Sequence, residues 1–176
     1  ENLTSRHKGS AIDLNDHFLV IGSPHSPIND FTVNFTDGTN FDTWELGTGE
    51  VQVYKKINSL WVKHSTITSS NADRNDFFGH SVAINKDTIV IGAPYEDGNL
   101  NNLGNTLNWQ DTGAAYVFKL VDDNWLQTAY LKAENLGSHD HFGFSVDISD
   151  NQIIVGAPFE DSAINNPLDN SAYNSG

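Results

Sequence analysis

The chain has 176 residues, enough for one domain. Nine Lys and Arg stand against 23 Asp and Glu, a net charge of −14, which argues against nucleic acid, whose phosphates need a basic face, and against docking on anionic lipid. The absence of cysteine rules out disulfides, zinc–thiolate sites and thiol nucleophiles, and no apolar run approaches the roughly 20 residues that span a bilayer, so membrane insertion is not expected. The chain opens at Glu1 and holds no methionine, so we expect a processed product or a piece of a longer chain.

The elements, in chain order, read as short strands. Gly9-Ser10-Ala11 opens a first strand, and Leu19-Val20-Ile21-Gly22-Ser23-Pro24 forms a second that Pro24 ends. A long polar loop, 25–48, leads to Gly49-Glu50-Val51-Gln52-Val53-Tyr54. An outer strand then runs from Trp61 to Ile67. The pattern restarts with His80–Ile84, turned by Asn85-Lys86-Asp87 into Thr88–Ile91, which is continuously apolar, as expected when both faces are covered. Gly92-Ala93-Pro94 stops it. A polar loop, 95–112, leads to Ala114–Lys119, and Asp122-Asp123-Asn124 turns the chain into Trp125–Lys132, which alternates as a half-exposed strand. A third start follows at Phe142-Gly143 and continues through Ile153–Pro158 into a final polar stretch, 159–175. No window has a helical period.

These elements are copies. Phe78-Gly79-His80-Ser81-Val82-Ala83-Ile84 recurs 64 residues later as Phe142-Gly143-Phe144-Ser145-Val146-Asp147-Ile148. Ile89–Pro94 recurs as Ile153–Pro158, and Gly49, Trp61 and Ile67 map onto Gly113, Trp125 and Leu131 at the same offset. A worn copy of the first half lies 70 residues before the second, and the difference falls in the long loop. The expected fold is therefore all-β, with four-stranded antiparallel blades arranged as in a β-propeller. Residues 1–72 make a first blade, 73–137 a second, and 138–176 half of a third.

Phe78-Gly79 with Gly92-Ala93-Pro94, and Phe142-Gly143 with Gly156-Ala157-Pro158, resemble FG-GAP repeats, the blade motif of integrin α-subunit propellers and of many bacterial exported proteins. The bacterial variety is closer, through Gly92-Ala-Pro-Tyr-Glu-Asp-Gly98, the Asn-rich loop and Gly113-Ala-Ala-Tyr-Val-Phe118. The resemblance implies an extracellular or cell-surface protein and a ring of about seven blades. The missing blades would then come from the same chain or from neighbouring chains, since an open blade leaves an unpaired edge. The integrin-type calcium cage, Asp-x-Asp-x-Asp-Gly between the first two strands, is replaced here by Asn15-Asp16-His17, Asn85-Lys86-Asp87 and Ser149-Asp150-Asn151, one carboxylate each.

Other residues invite chemistry. Glu96-Asp97 and Glu160-Asp161 open the long loops and, with Asp111 and Asp169, are candidate calcium ligands; the competing reading is that they cap turns and bind loop amides. His139 and His141 stand two apart, but His141 aligns with Phe77, and the spacing supplies no third ligand for zinc. Ser81 and Ser145 repeat from blade to blade, whereas a nucleophile is needed once. Trp61 and Trp125 suit packing between blades, while Trp44 and Trp109 in the long loops are candidate ligand contacts. Asn2 and Asn34 head glycan acceptor triplets.

No cofactor is required by this pattern and no catalytic set stands out. The reading is a non-catalytic binding, adhesion or structural module whose ligand, a protein or a glycan, meets the long loops. The alternatives are a scaffold segment of an exported enzyme, such as a polysaccharide-active propeller, and a strand-exchanging fibre subunit.

Overall fold

The computed structural model describes residues 9–26, 33–34, 40–41, 47–98 and 110–161. Among them every regular element is a strand. The first sheet is antiparallel, in the order β1 (Ala11–Leu14), β2 (Phe18–Ser23), β5 (Glu50–Ile57), β6 (Leu60–Ile67). The second repeats it with β7 (Ser81–Asn85), β8 (Thr88–Ala93), β9 (Ala114–Val121) and β10 (Asn124–Leu131). The third begins with β11 (Ser145–Ser149) and β12 (Gln152–Gly156). These are propeller-type blades, as the repeat predicts.

Besides shifts of one or two residues at the ends of β7, β9 and β10, the strands differ from the sequence reading in two respects. β8 continues through Gly92 and Ala93, because both still pair with β9. Inside the first long loop, β3 (Val33–Asn34) pairs with β4 (Asn40–Phe41), a hairpin unforeseen in the sequence although Asp37-Gly38, a strong turn dipeptide, lies between them.

The outer hairpins explain themselves locally. Asn58-Ser59 and Asp122-Asp123 all have positive φ, between 48° and 67°, the mirror-image turn whose twist matches antiparallel strands. Asn and Asp tolerate that region better than most side chains.

Burial shows how sheets join. β8 is buried along its whole length, with both faces covered. One face of the second sheet (Val82, Ile84, Ile89, Ile91, Tyr116, Phe118) meets Phe18, Val20, Val51, Val53 and Ile67 of the first. Its other face is made of small residues (Ala83, Val90, Ala115) and meets Val146, Ile148, Ile153 and Val155 of the third. Each sheet thus gives bulky residues to the sheet before it and mostly smaller ones to the sheet after it. At the outer flanks of the described residues, Ile12 and Leu14, which match Val82 and Ile84, are 59% and 58% exposed, and Ile154, which matches Val90, is 70% exposed.

The FG and GAP segments are the joint itself. Phe78 N–H donates to the Thr48 carbonyl and Phe142 N–H to that of Thr112, forming parallel bridges from Gly49 to Phe78 and from Gly113 to Phe142. A Cβ on Gly113 would sit 2.1 Å from the Phe142 oxygen, and one on Gly92 would sit 2.0 Å from the Gly143 oxygen. Only glycine lets the next blade come this close. Gly79 and Gly143 N–H groups then bond the carbonyls of Gly92 and Gly156 within their own sheets.

Candidate functional site

The two ends of the inner strands are built differently. At one end lie the short turns that stand where the integrin-type cage would be. They link blade to blade: Asn15 Nδ2 donates to the Lys86 carbonyl, and Lys86 Nζ reaches Asp150 Oδ1 at 2.9 Å. Asp13 Oδ2 accepts from Ile84 N–H at 2.7 Å across the same seam. At the opposite end of β7, Ser81 Oγ donates to the Gly143 carbonyl at 2.8 Å, so this recurring serine ties the second blade to the third.

At the other end, the long loops leave and return. The mouth of the first is closed by Gly49 N–H on the Ser26 carbonyl, and that of the second by Gly113 N–H on the Glu96 carbonyl, one bond at equivalent positions. Beneath the second mouth is a buried polar network. Glu96 pairs with Lys132, their side chains 4% and 0% exposed. Lys132 Nζ also donates to Thr112 Oγ1 at 2.7 Å, and Thr112 Oγ1 donates to the Gly98 carbonyl. Asn71 Nδ2 donates to Glu96 Oε1, and Asn71 Oδ1 accepts from Tyr116 Oη. Burial holds the Lys132 ammonium below its ordinary pKa, with Glu96 opposing that shift. Tyr116 and Tyr130 are pushed up by burial and by the nearby Glu96 charge.

Asp76 lies in the same region. Burial raises its pKa to about 7 against the pull of the Asp73 N–H, and Glu96, Asp73 and Asp97 add to the rise. In the third unit Asn135 Nδ2 donates to Glu160 Oε1 and Asp140 accepts from Gly137 N–H, the same bonds 64 residues on. In the first unit Ser26 stands at the Glu96 position and Thr68 at the Lys132 position, so the charged pair is absent as a pair.

Across the loop end runs a column of rings. His25 meets Phe77 at 4.6 Å between centroids, Phe77 meets Tyr95 at 4.9 Å, Tyr95 meets His141 at 4.6 Å and His141 meets Phe159 at 5.1 Å. The residues come alternately from the segment after a second strand and the segment before the next blade, so the column connects three successive loop mouths. Beside it, Asp111, His139 and His141 each bring a ligand atom within 4.8 Å of the others. His139 Nδ1 donates to Asp111 Oδ2 at 3.0 Å, and Asp97 Oδ1 accepts from Asp111 N–H at 2.7 Å. Burial keeps the His141 imidazole below its usual pKa.

The fold places the sequence candidates as follows. Glu96 is engaged by Lys132 and Asn71, Glu160 by Asn135, and Asp97 by the Asp111 amide. Asp161 lies half-buried at the root of the third loop. Trp44, Trp109, Asp169 and Asn2 lie outside the described residues, and Asn34 is in β3. Trp125 packs edge-on against Phe18 of the first blade at 5.3 Å, beside a groove of about 600 Å³ that His64, Thr66 and Phe118 also line. Lys132, Asn71 and Asp76 escaped notice in the sequence, although Asn71/Asn135 and Asp76/Asp140 recur at the 64-residue offset. The third donor beside the two histidines, Asp111, is brought there by the fold from 28 positions upstream of His139.

Comparison with known families gives a match to the FG-GAP repeat over residues 61–118 and 125–173. No curated protein matches the chain.

Proposed function

Since the chain belongs to the FG-GAP repeat family, we propose that it is a non-catalytic binding or adhesion module of an extracellular or cell-surface protein. Its ligand face is made by the loops that follow the second strand of each blade, and its ligand is a protein or a glycan. FG-GAP repeats are generally non-catalytic and commonly occur in extracellular or surface proteins. The observation that carries the reading is the arrangement of the loop mouths. They are closed by the same backbone bond on successive blades and tied side by side through the ring column. Such a base brings the roots of successive loops side by side, the kind of support on which binding loops are carried. The hydrogen-bonded carboxylates beneath it recur from the second unit to the third, which suits a structural role rather than a single reacting centre.

Replacing residues 99–109 by a Gly-Ser linker of equal length tests the proposal. Wild type and variant are compared on a glycan array and on a panel of immobilised extracellular proteins. The expected result is a bound ligand lost from the variant while its β circular dichroism is unchanged. Binding that survives replacement of both 99–109 and 27–46 would overturn it, as would release of reducing ends from a polysaccharide.

A further inference from the structure

We propose that Asp111, His139 and His141 form a binding site for a borderline transition-metal ion, Zn²⁺ or its neighbours Ni²⁺ and Cu²⁺, at the seam between the second and third blades. This is independent of what the loops bind.

The chemistry of the donors sets the ion. Two imidazoles and one carboxylate suit Zn²⁺, Ni²⁺ and Cu²⁺, whereas calcium and magnesium call for a shell of oxygens. The spacing fits as well. A tetrahedral ion with bonds near 2.0–2.2 Å holds its ligand atoms roughly 3.3 Å apart. Here Asp111 Oδ2 and His139 Nδ1 are already 3.0 Å apart, and each of the three residues brings one ligand atom within 4.8 Å of the others. Three protein ligands leave a fourth position open, and His139 is exposed, so an ion has a way in.

The backbone holds the three donors in place. His139 N–H donates to the Gln110 carbonyl and His141 N–H to the Asp111 carbonyl, so both histidines are stitched to the segment that carries the carboxylate. Asp111 is fixed in turn by Asp97.

Packing does not explain the donors. The preceding seam makes the same joint with Gly47, Asn75 and Phe77 at the three matching positions. Phe77 fills the column between His25 and Tyr95 as His141 fills it between Tyr95 and Phe159, with similar ring spacings. Exchanging a phenyl for an imidazole adds little to that stack except nitrogen atoms. One of them, His141 Nδ1, is buried with no hydrogen-bond partner among the described residues. A buried, unpartnered nitrogen beside a histidine–carboxylate pair, at one of two otherwise equivalent seams, points to a ligand that only this seam takes.

The repeat also supplies the control variants. His141→Phe, His139→Asn and Asp111→Gly each install the residue that the first seam already tolerates. The whole chain is titrated calorimetrically with ZnCl₂ and NiCl₂, with CaCl₂ as competitor, and with Co²⁺ as an absorbing probe. Expected are one equivalent of Zn²⁺ or Ni²⁺ undisturbed by calcium, a tetrahedral Co²⁺ band, and affinity at least about 10-fold weaker in each variant. The metal-free melting temperature of His141→Phe should stay close to that of the wild type. No binding of Zn²⁺, Ni²⁺ or Cu²⁺ to the wild-type chain would overturn the proposal. So would undiminished binding in His139→Asn, an exposed position whose change spares the fold, because the ion would then sit on other histidines.

Discussion

Glu96 and Lys132 form a charge pair under the second loop mouth, where the first unit has Ser26 and Thr68. Breaking a buried pair from one side strands the other charge, at a cost of about 3–5 kcal/mol, whereas removing both is far milder. Lys132→Thr and Glu96→Ser should therefore each lower stability strongly. The double variant should fall well short of their sum, with a coupling of about 2 kcal/mol or more in a urea-denaturation cycle. Additive losses would mean the pair is not a unit. Asp76 makes a second prediction. Its folded pKa of about 7 lies above the unfolded 3.8, so the folded chain holds a proton that the unfolded chain releases. The stability this lends is complete below about pH 4 and is lost as pH rises through 7. The groups facing it (Glu96, Asp73, Asp97 and, opposing them, Lys132) leave that sign unchanged. Asp76→Asn keeps an acceptor for Asp73 N–H and removes the titration. Its melting temperature should exceed the wild type's at pH 8, and the advantage should shrink towards pH 5. A constant difference across that range would refute the assignment.

At the level of strands, periodicity and turn residues made β7 to β10 legible to within a residue or two, because the inner strands are continuously apolar and buried, β10 alternates as a half-exposed outer strand, and their turns carry Asn and Asp. The β3–β4 pairing was illegible for the opposite reason: two-residue strands in a polar stretch offer no periodicity. The site divides along the same line. The acidic residues at the loop roots stood out by their repetition, yet their partners lie in the segments that follow the outer strands, where Asn71 and Lys132 look like ordinary surface residues until the fold engages them. Asp111 could not be joined to His139 and His141 from spacing, because the contact is made across a seam between blades rather than along a strand.

For the molecule as a whole, stability resides in the contacts between neighbouring sheets, each seam pressing bulky residues of one sheet against a flatter face of the previous one. Ala115, fully buried on that flatter face near Ile148, cannot grow without separating the second and third sheets. Ala115→Leu should cost about 1–3 kcal/mol. It should speed amide exchange in β11 and β12 while leaving Val51 and Val53 protected. Uniformly faster exchange throughout would show that the sheets do not respond one by one.

The family match begins on the outer strand of one sheet, ends on the third strand of the next, and changes over at the Asp122-Asp123 hairpin. What recurs is thus a complete joint, with its phenylalanine, its glycines and both of its apolar surfaces, while the hairpins serve as borders. A gene duplicated or trimmed at those borders gains or loses a joint intact and never produces a mismatched half, which leaves the number of modules open to evolutionary change while the fit between them is preserved.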